Sequence, residues 1–211
     1  DILKQEGPKE ASAQAKRLGV SAMALRQHLY ELQDEKLITY ADEPRPIVTL
    51  SPGAVGAGKA WPAGHYGQLA QALVKDCASI WVLGGPNESA LAAQIAQAGG
   101  PRVRDLTGND LRTAILALAA ADVSVTNDSG LMHVAAAIGT PTVAIFGPTS
   151  PWHWKPLNPI AAILEPPGDD AARQRARNDG NDAVAHRRTA DVAVDSVLAK
   201  VREVLKEEKK H

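Results

Sequence analysis

Short apolar runs alternate along the chain with longer segments in which apolar residues return every three or four positions. The runs at 47–50, 79–83, 103–106, 123–126, 142–146 and 161–164 are rich in Val, Ile and Leu, and each predicts a buried strand. Helical spacing fills the intervals at 66–75, 89–98, 111–120 and 131–138. A closing helix at 192–207 places Val197, Leu198, Val201, Val204 and Leu205 on one face. Regular alternation of strand and helix predicts an α/β fold, a doubly wound parallel sheet with right-handed crossovers. Residues 166–188 are charged and show no period, so a surface loop is expected there. Its arginines, Arg173, Arg175, Arg177, Arg187 and Arg188, could meet anionic groups, with solvation as the preferred reading.

The pattern before residue 47 is different. Ala11, Ala15 and Leu18 share a helical face, Gly19 makes a turn, and Ser21 can cap a second helix carrying Met23, Leu25, Leu29 and Leu32. Together they predict a small helix-turn-helix segment, and Pro44 and Pro46 enforce extended chain after it. Two domains are expected, 1–46 and 47–211. The stretch from Ala11 to Pro46 also resembles a winged-helix regulator of the ArsR-like type, which implies Ser21, Arg26, Gln27 and His28 near DNA. Lys16 and Arg17 add little local charge, so the segment is read as packing material rather than as a DNA-binding surface.

Chemistry gathers at the carboxyl ends of the expected strands. The first runs into Ser51-Pro52-Gly53-Ala54-Val55-Gly56-Ala57-Gly58-Lys59, a glycine loop with one lysine, suited to surrounding a phosphate. It is not a Walker loop, because neither Ser nor Thr follows the lysine. The second strand ends at Gly84-Gly85-Pro86-Asn87-Glu88, where Glu88 can meet ribose hydroxyls or simply favour the helix dipole. The fourth ends at Asn127-Asp128-Ser129-Gly130, where Asp128 or Ser129 can cap the helix and free first-turn amides favour an anion. That turn has an alternative reading as a capping turn alone. Trp152, Trp154 and Lys155 follow the fifth strand. They offer a stacking surface or lid, with loop anchoring as the preferred reading.

The 211 residues with 45% hydrophobic content are enough for one good core. A net charge of −1 argues against a chain-wide nucleic-acid surface, and the single Cys77 excludes an intrachain disulfide and a multi-cysteine zinc site. No apolar run reaches a membrane span and no signal peptide is evident, so a soluble, cytoplasmic protein is expected. The chain opens on Asp1 and closes on a charged KEEKKH, from which a fragment or an engineered product is expected.

Asn127-Asp128-Ser129-Gly130-Leu131-Met132-His133, with Gly139-Thr140-Pro141-Thr142 and Phe146-Gly147-Pro148-Thr149-Ser150-Pro151, closely resembles the signature of glycosyltransferase family 9, the lipopolysaccharide heptosyltransferases. The resemblance covers roughly 47–205 and implies the Rossmann-like, donor-binding C-terminal half of a GT-B fold. It implies that Asp128 holds sugar hydroxyls, and that Ser129, Gly130 and Leu131 offer amides to a diphosphate. It also implies that His133 supports the site, that Lys59 reaches the phosphates and that Glu88 meets the ribose. The partner implied is ADP-heptose or ADP, with no cofactor and no metal. The family's catalytic base lies in the other half, so no catalytic residue is assigned here and transfer is expected to be incomplete in this chain alone. Two alternatives stand beside this reading: an engineered chimera without activity, and a DNA-binding regulator with a nucleotide-sugar-sensing domain. Self-association through the cleft side is left open.

Overall fold

The computed structural model describes residues 46–77 and 79–208. The chain divides into two units between Pro44 and Arg45, and these residues belong to the second. The helix-turn-helix segment, with Ser21, Arg26, Gln27 and His28, lies outside the described residues.

Six strands form one sheet: β1 (Ile47–Ser51), β2 (Ser79–Val82), β3 (Val103–Asp105), β4 (Val123–Asn127), β5 (Thr142–Ile145) and β6 (Ala161–Leu164). Their order is β3-β2-β1-β4-β5-β6, and every neighbouring pair is parallel. The chain winds outward from β1 to β3, returns to the centre at β4 and winds out the other way. The expected doubly wound sheet is therefore present, and its strand order reverses between β1 and β4.

The helices are α1 (Ala63–Leu73), α2 (Ser89–Gly99), α3 (Leu111–Ala120), α4 (Gly130–Ala137), α5 (Pro151–Trp154), α6 (Asp170–Asp179) and α7 (Val194–Glu208). The central strands are buried on both faces, which is why they read as continuous apolar runs rather than alternating ones. Val48, Leu50, Ile80, Val123, Val125, Val143 and Ile145 pack with Tyr66, Leu69 and Leu73 of α1, Ile95 of α2 and Val197 and Val201 of α7. Met132 of α4 packs with Ala144 and Phe146 in a second cluster. Among the described residues no helix is long and apolar enough to cross a membrane.

The expected loop at 166–188 is instead mostly helical. Asp169 starts α6 by accepting a hydrogen bond from the Ala172 amide at 3.1 Å. Ala172, Ala176 and Val184 then close a small core under it. Alanines supply too little apolar contrast to show as a helical period, so the segment reads as loop-like. Arg187, expected to be solvated, is only 4% exposed. Its Nη1 donates to Glu165 Oε1 at 2.7 Å and its Nη2 to the Pro166 carbonyl.

Two exposed carboxylates cap helices. Asp110 accepts from the Thr113 amide at the start of α3, and those hydrogen bonds hold its carboxyl below the usual range. Asp169 is held down first by its hydrogen bond with His186. A carboxyl depressed in the folded state contributes stability that is complete above the ordinary carboxylate range and is lost as pH falls through its folded value. The melting-temperature gap between wild type and D110N should therefore be present at neutral pH and close as pH drops below about 4. A melting series across pH checks this, and a gap that does not vary with pH would contradict it.

Cys77 is fully buried, and burial, with Asp76 and Asp122 nearby, pushes its thiol up to about 12. Since the thiolate is the reactive form, native protein should resist an aromatic disulfide reagent at mildly alkaline pH and react once denatured. Absorbance of the released thiolate reads this directly.

Candidate functional site

The loops that leave β1 and β4 emerge side by side where the strand order reverses, the place in open parallel sheets where ligands bind. Asn127, the last residue of β4, joins them. It is fully buried, and its Oδ1 accepts from the Trp61 amide at 3.1 Å and lies 3.2 Å from the Tyr66 hydroxyl. Its Nδ2 donates to the Pro52 carbonyl at 2.8 Å. Both ends of the glycine loop thus hang on one amide side chain. Burial drives the Tyr66 phenol far above its ordinary value, so it stays an O–H donor. The Trp61 indole N–H donates to the Val192 carbonyl at 2.9 Å and ties the loop to the approach to α7.

The middle of the loop is held from the same side. The Gly58 carbonyl accepts from both the Thr189 amide, at 3.1 Å, and its hydroxyl, at 3.0 Å. Gly58 has φ +74°, a left-handed conformation that favours glycine. Gly147 faces the same clasp, and a Cβ there would stand 2.6 Å from the Thr189 nitrogen.

Held this way, the loop delivers Lys59 to Asp128. Lys59 Nζ lies 2.7 Å from Asp128 Oδ2, with side-chain exposures of 22% and 9%. The Thr149 hydroxyl donates to the same oxygen at 2.8 Å. The expected side-chain cap at the next helix is not formed. Ser129 occupies the N-cap position of α4 in extended conformation, but neither it nor Asp128 bonds a first-turn amide. The Asp128 carboxylate is taken by Lys59 and Thr149, and the Ser129 hydroxyl lies 3.3 Å from that of Thr126. The first amides of α4 are left without a side-chain acceptor, and a Cβ built on Gly130 would meet only open space.

Glu88 stands half-buried at the turn after β2 and makes no capping hydrogen bond to α2. Its side chain folds over the glycines of two turns: a Cβ on Gly84 would lie 2.8 Å from Glu88 Cβ, and one on Gly53 3.0 Å from its Cδ. Glu88 therefore reaches the β1 loop from the β2 side. Leu131 is half-buried in the first turn of α4. His133 is exposed on α4, and among the described residues neither a hydrogen bond nor an ion pair joins it to Lys59 or Asp128.

Three contributors escape a reading of the sequence alone: Asn127 as a latch, Thr149 on Asp128 and Thr189 on Gly58. The exposed Arg188 side chain lies across the glycine loop, where a Cβ on Gly58 would come within 2.4 Å of its Cδ. Its Nη1 donates to the carbonyls of Ala185 and Arg187. Asp128 pairs with Lys59, and Arg188 adds a second cation beside the loop. Among the described residues no group of three His, Cys, Asp or Glu side chains is arranged to hold a metal ion.

A family model described as glycosyltransferase family 9 (heptosyltransferase) matches residues 9–183. The match continues through most of the stretch read as a winged helix, so neither that segment nor a chimera draws support. Lipooligosaccharide heptosyltransferase 2 of Haemophilus influenzae is 32% identical over 167 residues, 76% of this chain and 48% of that protein. Lipopolysaccharide heptosyltransferase 2 of Escherichia coli is 37% identical over 126 residues, 57% of this chain and 36% of that protein. Among solved structures, E. coli ADP-heptose lps heptosyltransferase II matches with TM-score 0.64 and 27% identity, over 97% of this chain and 53% of that one. E. coli heptosyltransferase WaaC with ADP shares the fold at TM-score 0.63 and 21% identity, over 83% of this chain and 49% of that one. The chain spans about half the length of the curated relatives it matches.

Removing the Asn127 latch should be costly, because Asn127→Ala strands the Trp61 amide and the Pro52 carbonyl and leaves the Tyr66 hydroxyl only its longer contact with the Ser51 carbonyl, at 3.3 Å. A loss of about 2–4 kcal/mol is expected in urea denaturation, from one to three kcal/mol for each buried polar group left unpaired and partial relaxation. A loss below about 1 kcal/mol, the usual scale of a single net hydrogen bond, would show that the loop is held elsewhere.

Proposed function

The chain belongs to glycosyltransferase family 9, and on that premise we propose that residues 46–208 hold the nucleotide-sugar donor, ADP-heptose or a close relative. The observation that carries this reading is the Lys59–Asp128 pair at the point where the strand order reverses. A cation and a carboxylate held together there match the two parts of such a donor. Lys59 meets the diphosphate, and Asp128 accepts hydrogen bonds from sugar hydroxyls. The uncapped amides of Ser129, Gly130 and Leu131 share the phosphate charge, as a helix N-terminus favours an anion. Glu88, on the β2 side, takes the ribose hydroxyls. His133 acts from the helix surface once ligand is bound.

In transfer, the bond from the sugar to the diphosphate breaks as the acceptor oxygen bonds to the sugar, and negative charge grows on the departing diphosphate. Lys59, Arg188 and the α4 amides stabilise that charge, while the base that removes the acceptor proton comes from outside the described residues. Such a donor is met in the cytoplasm.

Calorimetric titration with ADP and ADP-heptose, against UDP and GDP, tests the reading. Saturable binding that prefers the adenine ligands is expected, and flat traces from folded protein would remove it. Lys59→Ala and Asp128→Ala should each weaken ADP-heptose binding by about 1.5–3 kcal/mol, the scale of a charge-assisted hydrogen bond. Arg188→Ala should weaken ADP but leave adenosine unchanged. Equal affinity for wild type and all three variants would move the site elsewhere.

A further inference from the structure

The carboxyl edge of the sheet carries a second opening, on the β5–β6 side and apart from the Lys59–Asp128 pair. There a cavity of about 440 Å³ lies between α5, the end of β6 and α6, a volume suited to a small ligand. Its apolar wall is Ile163 of β6 and the half-exposed indole of Trp152. Its charged lining divides into a satisfied set and an unsatisfied one.

The carboxylates are satisfied. Glu165 pairs with the buried Arg187 at 2.7 Å and approaches Arg173 Nε at 3.8 Å, and Asp170 pairs with Arg173 Nη1 at 2.7 Å. The remaining cations are not. Lys155 and Arg177 have no carboxylate partner among the described residues, and both stand over the Trp152 ring, at 5.9 and 3.9 Å from its centroid. A guanidinium stacked on an indole uses its face and keeps its edge N–H groups for an in-plane acceptor. The cavity thus presents two cations without a carboxylate partner, beside an apolar wall.

We propose that this cavity is a second binding site, for a sugar carrying a carboxylate or a phosphate. The anion lies between Lys155 and Arg177, and the ring packs on Trp152 and Ile163. The site does not depend on the nucleotide reading. It is nevertheless close in sequence to the first, since Thr149 touches Asp128 and Pro151 lines the cavity.

The test is nitrogen-15 NMR of the full chain, with the Trp152 indole signal assigned from the Trp152→Phe spectrum. The probes are glucuronate, glucose 6-phosphate, glucose and inorganic phosphate, each titrated with and without saturating ADP. Saturable shifts of Trp152, but not of buried Trp61 and Trp81, are expected with both anionic sugars or with one, which then identifies the anion. The affinity should exceed that for glucose and for inorganic phosphate by about tenfold or more, as an added charge-assisted contact allows. ADP should not displace the sugar. The Lys155→Gln, Arg177→Gln double variant removes no ion pair, though it gives up both contacts with the Trp152 ring; it should still melt cooperatively as a folded protein and should lose about tenfold or more of that affinity. No shift, glucose or phosphate binding as tightly as the anionic sugars, displacement by ADP, or a double variant that binds like wild type would each overturn the proposal.

Discussion

The site depends on one buried amide side chain. Asn127 ends β4 beneath the glycine loop, and its two acceptor contacts and one donor contact bring Trp61, Tyr66 and Pro52 to a common point. Asparagine suits the position because it accepts and donates without charge; an aspartate there would lack the donor and bring a charge into a fully enclosed place. Since β4 neighbours β1 in the sheet, this latch turns strand register into loop position. Whatever the loop offers a ligand inherits the rigidity of the sheet.

Electrostatics completes what the latch begins. Lys59 and Asp128 pair in a half-closed environment, so both side chains are placed before a ligand arrives; the lysine can exchange its carboxylate for another anion, and the carboxylate can accept from hydroxyl donors. The α4 terminus shows the cost of that arrangement. A side-chain cap contributes about 0.5–2 kcal/mol to a helix, yet the two residues able to provide one are turned to Lys59, Thr149 and Thr126 instead. Local stability given up at a strand end is a departure from local rules of the kind expected at functional sites.

The family match leaves the winged-helix reading of the N-terminal stretch without support. A helix, a glycine turn and a serine-capped helix satisfy many helical pairs, because the pattern records only that two helices each bury one face. It has no feature special to contact with DNA. A family model that continues from residue 9 into the sheet gives the stretch a relation to the rest that its local pattern does not express.

The order of residues by itself determined the strands, the helices between them and the parallel winding, since strands buried on both faces leave unbroken apolar runs and helices leave a period. It also marked the glycine loop, Lys59 and the Asn127-to-Gly130 turn as strand-end chemistry, because such chemistry is written in adjacent residues. Only the tertiary structure decided that Lys59 meets Asp128, that Thr189 clasps Gly58 from 131 positions away, and that Arg188 lies over the loop. It also decided that residues 166–188 fold, with Arg187 buried on Glu165 rather than solvated. Contacts between distant segments leave no local period, and a helix seated on alanines barely alters the apolar pattern, so neither is visible until the chain closes on itself.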